Sequence, residues 1–338
     1  MERRKIMYGA AAALCLLIAG AGILCASLCL HKVHLPAEEA GTPTYIYIDT
    51  DDDVDSLRTK LDLGWRFGWY ARAMHPLVRT GRYRVEDGMP SLDLYRRLRN
   101  GQQEPLRLTL PSVRTLDRLA SRLGSQLMLD SATVATAFYD STFCQEYGYR
   151  LETLPALFIP NTYEVYWNIS LPALMKRMQQ ENARFWTKER QAKADALGLT
   201  HEQVATLASI VEEETANDGE KPMIAGLYLN RLRKGMLLQA DPTVKFAQGN
   251  FALRRILYSH LEIDNPYNTY KYKGLPPGPI RIPSIVGLDA VLNAASHTYI
   301  YMCAKEDFSG THNFAATLSE HMRNARRYAR ALNERGIR

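Results

Sequence analysis

The 24 residues from Met7 to Leu30 carry no charged side chain and are rich in Ala, Leu, Ile, Gly and Cys, so this run constrains the chain before any other feature does. As a helix rising about 1.5 Å per residue it would reach roughly 36 Å, enough to cross the hydrocarbon core of a bilayer. Arg3, Arg4 and Lys5 precede it, whereas His31, Lys32 and His34 are soon followed by Glu38 and Glu39. The positive-inside rule makes residues 1–6 a cytoplasmic tail, 7–30 a single transmembrane helix and the remainder an exported chain at the cytoplasmic (inner) membrane. A cleaved signal peptide is one alternative, but its apolar segment is usually about 7–15 residues. A lipoprotein signal is another, since Cys25 and Cys29 lie near the end of the run, yet Gly22-Ile23-Leu24 and Ala26-Ser27-Leu28 suit such a site poorly.

The chain has 46% hydrophobic and 23% charged residues, a globular balance with apolar material for two or three folding units. Its net charge of +6 favours anionic surfaces without the dense basic blocks of a nucleic-acid binder, so nucleic acid is not expected as a partner. Three of the five cysteines lie in the apolar run, leaving Cys144 and Cys303 beyond it. These allow one disulfide; two separately buried thiols fit better, since no disulfide framework or Cys-x-x-Cys pair is present.

Residues 31–43, with Pro36, Gly41 and Pro43, read as a linker. Thr44–Ile48 and Gly81–Val85 have the composition of strands, and Ser91–Leu98 reads as a short helix capped by Ser91, giving a small β-α-β-α subdomain over 44–104. The run Asp49, Asp51, Asp52, Asp53, Asp55 has the opening spacing of a calcium loop, but Val54 and Lys60 stand where Gly and a bidentate Glu are needed, so a helix N-terminus is preferred. Arg79, Arg82, Arg84, Arg96, Arg97 and Arg99 form either an anion-binding face or, more simply, a solvated one. Residues 105–338 form a larger mixed domain, with a strand at Leu106–Leu110, helices at Thr115–Leu123 and Ser131–Tyr139, and one long helix over Leu171–Leu197 closed by Gly198. The fold class is α+β, and no phosphate-binding loop or repeat is present.

Thr200 to Gln203 fits a capping box and opens a helix whose apolar stripe is Val204, Leu207, Ala208 and Val211. At about 100° per residue, Glu214 falls nearest this stripe among three successive glutamates, while Glu213 points away and should be solvated. A carboxyl against apolar walls resists ionisation and can hold a proton at neutral pH, as a general acid must. The alternative is a boundary carboxylate paired with Arg231 or Arg233.

Leu207 to Ala216 (LASIVEEETA), Asn230-Arg231-Leu232 and Leu238 to Val244 (LQADPTV) resemble the MltG-type (YceG-like) endolytic murein transglycosylases. The resemblance continues through Pro266 to Tyr270 (PYNTY), Gly274 to Ile280 (GLPPGPI), His312 to Phe314 and His321, and so covers essentially the whole exported chain. It implies one transmembrane helix, a LysM-like subdomain and a catalytic domain, with Glu214, the second Glu of V-E-x-E, as catalytic acid. It also implies cleavage of the MurNAc-β-1,4-GlcNAc bond of nascent peptidoglycan strands to leave 1,6-anhydroMurNAc ends, termination of strand growth, and membrane-bound peptidoglycan synthases as partners. The sequence departs from the family pattern at Asn161, where Asp is common, and at Ile282 and Ser284, where Asn and Gly are frequent.

Gln239 and Asp241 are candidates to bind sugar hydroxyls or orient Glu214, although Asp241-Pro242 also suits a helix cap. Tyr267, Asn268 and Tyr270 offer amide groups beside aromatic faces for sugar, with a self-bonded loop as the alternative. The Gly274–Pro279 run reads as a rigid loop. His312 and His321 lack the spacing of a helical zinc pair, so structural hydrogen bonding is expected, with no metal and no cofactor. Two other classes stay open: a non-catalytic wall-binding scaffold, and an anchored hydrolase that makes reducing ends with water as the attacking group.

Overall fold

The computed structural model describes residues 2–33, 44–60, 72, 79–253 and 255–336. The expected linker beyond Val33 lies outside these residues. The chain forms two compact units, of which the first reaches Leu108 and also takes in Gln126–Met128 and Tyr163–Ile169.

In the first unit the apolar N-terminal run forms helix α1 (Glu2–Leu30), with Leu14, Leu16, Leu17, Ile18 and Ile23 all exposed. Among the described residues no helix is long and apolar enough to cross a membrane. The side chains at 24, 25 and 27–30 lie outside the description. Strand β1 (Thr44–Ile48), helix α2 (Val54–Lys60), strand β2 (Gly81–Val85) and helix α3 (Ser91–Asn100) follow in the expected order. β1 and β2 pair antiparallel, Thr44 opposite Val85 and Ile48 opposite Gly81. Their inward side chains, Ile46, Ile48, Tyr83 and Val85, bury against Val54, Leu57, Leu92, Leu94 and Leu98 of the two helices.

Several local expectations need correction here. The start of the expected linker is built into this unit: the Val33 amide donates to the Met89 carbonyl at 2.9 Å, and Ser91 N–H donates to the His31 carbonyl at 2.9 Å. Ser91 is therefore the first helical residue and not the cap, which is Pro90. The acidic run, in contrast, stands at the start of α2 as expected, with Asp53 accepting the Ser56 amide at 2.8 Å and Asp49 accepting that of Asp51 at 2.9 Å. Most of the arginine cluster is tied within the unit: Arg82 donates to the Pro105 carbonyl, Arg84 pairs with Glu86 at 3.2 Å, and Arg97 donates to the Arg84 carbonyl.

Strands β3 (Leu106–Thr109) and β4 (Thr162–Val165) form a separate two-stranded sheet. The second unit is mostly helical. Helices α4 (Leu116–Gly124), α5 (Ser131–Phe138) and α6 (Ser141–Glu146) begin at Thr115, Asp130 and Asp140, whose side chains each accept an otherwise orphaned backbone N–H. The long helix expected over 171–197 is two helices, α7 (Leu171–Phe185) and α8 (Lys188–Leu197). The break has a local cause: Thr187 caps α8 through the Arg190 amide, and Trp186 turns aside to stack on His201 at 3.7 Å. Gly198 closes α8 at φ 70°, the left-handed conformation that glycine adopts without strain.

Helix α9 (His201–Glu214) starts with the expected reciprocal capping box of Thr200 and Gln203. It is packed by α10 (Lys221–Arg233), α11 (Asp241–Ala247) and α12 (Ile285–Leu292). Every residue from Val204 to Val211 is buried, so α9 has no solvent face where a stripe was expected. Its polar residues are satisfied inside: Thr206 donates to the Glu202 carbonyl at 2.7 Å, and Ser209 both donates to Thr206 and accepts the Ile280 amide at 2.9 Å. Strands β5 (Tyr301–Ala304) and β6 (His312–Ala315) pair antiparallel and carry helix α13 (Leu318–Glu334). Cys144 and Cys303 are both free thiols.

The Gly274–Pro279 loop packs onto the backbone after Arg150, where Arg150 also donates to the Pro277 carbonyl. A Cβ on Gly278 would lie 1.9 Å from the Glu152 carbonyl oxygen. Backbone on both sides leaves little room to relax, so Gly278→Ala is expected to cost about 3 kcal/mol and lower the melting temperature by roughly 8 °C. Thermal unfolding of the purified chain checks this, and an unchanged transition would show that the loop gives way.

Candidate active site

The last three residues of α9 are glutamates with three different fates. Glu212 accepts the Ser284 amide at 2.7 Å at the start of α12, and Gly287 leaves it room, since a Cβ there would approach its Oε2 to 2.9 Å. Glu213 is not solvated: Arg114 donates to both of its oxygens at 2.7 and 2.8 Å, and Arg281 donates to Oε1 at 2.8 Å. With only 12% of its side chain exposed, Glu213 ties α9 to the Ser112–Arg114 and Arg281–Ser284 segments. The expectation of a free Glu213 failed because these segments cover the side of α9 that the stripe left to water. The departures at Ile282 and Ser284 belong to this seam: Ile282 is buried and its amide meets the Val113 carbonyl, while Ser284 caps α12.

Glu214 faces a different way, into a cavity of about 240 Å³. Its Oε1 accepts the hydroxyl of Tyr228 at 2.6 Å, and Tyr228 is fully buried on α10. Burial pushes the Glu214 carboxyl up from 4.5 to about 7, with the Tyr228 hydrogen bond opposing, the charge of Asp241 adding to the rise, and His312 and Arg231 lowering it. Arg231 is no direct partner of Glu214: its guanidinium donates to the carbonyls of Ile300 at 2.6 Å and Leu238 at 2.7 Å and so braces the turn after α10. Arg233 reaches Asn230. The site thus presents a carboxyl that holds its proton near neutrality beside an open volume.

Of the residues singled out in sequence, Gln239, Asp241 and Tyr270 line the same cavity as Glu214. Gln239 has φ 50°, one of two non-glycine residues with positive φ among those described, and its amide donates to the Thr269 carbonyl at 3.1 Å. Asp241 does not cap α11, whose cap position is Ala240 with no side-chain hydrogen bond. Its carboxylate instead accepts the Tyr270 hydroxyl at 2.5 Å. Asn268 is fully buried, donating to the carbonyls of Leu261 and Ile263 and accepting the Tyr270 amide at 3.0 Å, so its amide shapes the loop. Tyr267 packs on Phe246 at 4.7 Å and lines a separate, more apolar cavity of about 320 Å³ with Leu116, Tyr139 and Leu151. That larger cavity holds neither Glu214 nor Asp241, which both line the smaller and more polar one.

Sequence reading missed Tyr228 and gave His312 only a structural role. His312 lines the Glu214 cavity, with its ring Nδ1 2.9 Å from a Glu220 oxygen and its amide donating to the other oxygen at 2.6 Å. Tyr228 sits fourteen positions after Glu214, on the buried face of the next helix, and an aromatic with a polar tip on such a face was the available signal. His321 stacks on Tyr301 at 5.3 Å, and its buried Nδ1 has no hydrogen-bond partner. Among the described residues no group of His, Cys, Asp and Glu is placed to hold a metal ion.

This arrangement coincides with a family pattern: the model of the YceG-like family matches residues 49–327. The chain belongs to the YceG-like family. It is 38% identical over 167 residues to an endolytic murein transglycosylase of Bacillus subtilis, covering 49% of this chain and 45% of the relative. A Streptococcus pneumoniae protein of the same name is 30% identical over 296 residues, covering 77% of this chain and 53% of that one. This YceG-like chain therefore spans about half the length of the curated relatives it matches. The crystal structure of a YceG-like protein of Listeria monocytogenes shares 26% identity at a TM-score of 0.55, over 83% of this chain and 98% of the other.

The Glu213 seam yields a stability test at a residue that does not line the Glu214 cavity. Glu213→Gln removes the charge that two arginines share, leaving Arg114 without its carboxylate and Arg281 with Glu212 at 4.0 Å and Ser112, at a cost of about 2 kcal/mol, partly offset by solvent around Arg114. The melting temperature should fall by roughly 5 °C. A thermal scan that shows no change would mean that the seam contributes nothing.

Proposed function

We propose that this chain is a lytic transglycosylase that cleaves the MurNAc-β-1,4-GlcNAc bond within peptidoglycan strands and leaves 1,6-anhydroMurNAc ends. The observation that carries the reading is Glu214, a carboxyl raised to about 7 in a solvent-reaching cavity, within a chain of the YceG-like family. Protonated Glu214 gives its proton to the glycosidic oxygen as that oxygen leaves C1. The resulting carboxylate then takes the proton of the C6 hydroxyl as its oxygen closes on C1. Departing and entering oxygens occupy the same β face of the sugar, so one group, reset by the second transfer, serves both steps. Tyr228 fixes the carboxyl and stabilises its anion between the two transfers.

The same reading places the chain at the cytoplasmic membrane, with α1 as a single-pass anchor and the catalytic unit outside. The uncharged run from Met7 to Leu30 within α1, with Leu14, Leu16, Leu17, Ile18 and Ile23 exposed, supports this, as does the basic start of the helix at Arg3, Arg4 and Lys5. The small β-α-β-α unit is the LysM-like element that would hold glycan, and membrane-bound peptidoglycan synthases are the partners whose nascent strands the enzyme would terminate.

Mass spectrometry of products from uncrosslinked glycan strands tests the reaction. The wild-type chain should release anhydro ends, with activity falling as pH rises through about 7 because Glu214 must begin protonated. Glu214→Gln should reduce release by at least about 1,000-fold while the fold survives. Hydrated ends would indicate a hydrolase, and release by Glu214→Gln at the wild-type rate would remove Glu214 from the mechanism.

A further inference from the structure

The cavity holds a second carboxylate, Asp241, which the sequence offers as a residue to bind sugar hydroxyls or orient Glu214. Asp241 and Glu214 line one volume of about 240 Å³ from different elements, α11 and the end of α9. Their surroundings are opposite: Glu214 is half-buried against Tyr228 and Leu227, whereas Asp241 is exposed to solvent and receives the Tyr270 hydroxyl. Two acids that share a site and differ in this way suit different tasks, since burial disfavours the charged form of Glu214 while Asp241 lies open to solvent.

The placement of Asp241 is built and not incidental. Ala240 N–H donates to Thr269 Oγ1 at 3.0 Å, and Thr243 Oγ1 lies 2.9 Å from Thr269 Oγ1 and donates to the Ala240 carbonyl at 2.7 Å. Gln239, directly before this segment, is held at φ 50° by its bond to the Thr269 carbonyl. The two segments that carry Asp241 and Tyr270 are thus locked together, and the cost of the Gln239 conformation is met by that lock. Asp241 spends no oxygen on capping its own helix, which leaves the carboxylate free to face the cavity.

We propose that Asp241 is the anion that stabilises the positive charge developing at C1 and the ring oxygen when the glycosidic bond breaks. This rests on the transglycosylase reading and deepens it. No covalent bond to Asp241 is made: the C1–O4 bond breaks as O4 takes the Glu214 proton, and the C1–O6 bond forms as Glu214 recovers a proton from O6. Because both oxygens use one face, the opposite face of C1 is open to a carboxylate that approaches the cation without displacing either. The ring charge is neutralised when O6 closes, and Asp241 ends the cycle unchanged.

The group whose titration reports on this is Glu214, faced by Tyr228 and Arg231 of α10, Asp241 of α11, Tyr270 of the following loop and His312 of β6. In the 338-residue chain Asp241→Asn is expected to lower kcat by at least about 100-fold, with less change in KM and the same anhydro product. The basic limb of its pH profile should move to lower pH, because the charge that helps Glu214 keep its proton is gone. Asp241→Glu should recover part of kcat and restore the limb. A second readout does not need turnover: a protonated imino-sugar analogue of the cleaved residue should bind the wild type at least about tenfold more tightly than its neutral lactam. This preference should persist in Glu214→Gln and vanish in Asp241→Asn and Asp241→Ala.

An Asp241→Asn enzyme with wild-type kcat, a loss confined to KM with an unmoved limb, or an unchanged preference for the cationic analogue would each overturn the assignment. A wild-type chain that makes no anhydro ends overturns the functional reading and the assignment together. One that makes them, with Asp241→Asn equally active, overturns the assignment alone.

Discussion

The hydrogen bond from Tyr228 to Glu214 joins the middle of α10 to the end of α9, and the packing around α9 holds the two in place. A carboxyl at the end of a helix buried all round needs that helix held at every side. Glu212 ties it to the start of α12, Glu213 to two arginines from separate segments, and Ser209 to the Ile280 amide. The position of Glu214 is thus fixed by its two neighbours in sequence, which have no place in the chemistry. The arrangement has a thermodynamic cost with a definite sign. The folded carboxyl keeps its proton to about 7 and an unfolded one to about 4.5, so the contribution of this group to stability is full below 4.5 and lost as pH rises through 7. At neutral pH and above, that difference is on the order of 3 kcal/mol. A site that forgoes stability to keep a proton is the signature expected of a general acid.

Much of this was legible because local rules and tertiary structure agree over long stretches. The strands Thr44–Ile48 and Gly81–Val85 appear at the expected residues, as do the capping box of Thr200 and the stop at Gly198. The errors around Glu213 and Glu214 come from contacts between residues distant in sequence, whereas the break at Thr187 and the loop bonds of Asn268 are local. Helical periodicity assigns α9 a wet side, yet the residues there, Ala205, Thr206, Ser209 and Ile210, are small or apolar, and no charge falls between Glu202 and Glu212. Read for composition as well as period, that face announces its own burial. What no local rule supplies is Arg114 and Arg281 arriving over Glu213, or Tyr228 reaching back to Glu214.

The candidate sugar-binding residues divide along the same line. Asp241 and Tyr270 meet each other in the cavity, whereas Asn268, whose amide looked suited to a sugar edge, is spent on its own loop. The PYNTY segment contributes twice, Asn268 setting the loop and Tyr270 using it to reach the site. Gln239 pays in backbone strain for a place at the rim, and Thr269 holds that strained turn. His312 enters from the β5–β6 pair with Glu220 behind it, so the cavity draws its walls from helices and a strand pair that sequence spacing could not relate.

The central claim is that Glu214 holds a proton at neutral pH because of where the fold places it. The direct measurement is the titration of its side-chain carboxyl by carbon-13 NMR in the 338-residue chain, with the resonance assigned by its loss in Glu214→Gln. The account predicts a midpoint near 7. A midpoint near 4.5, the ordinary value for this side chain, would contradict it and leave the cavity without its acid.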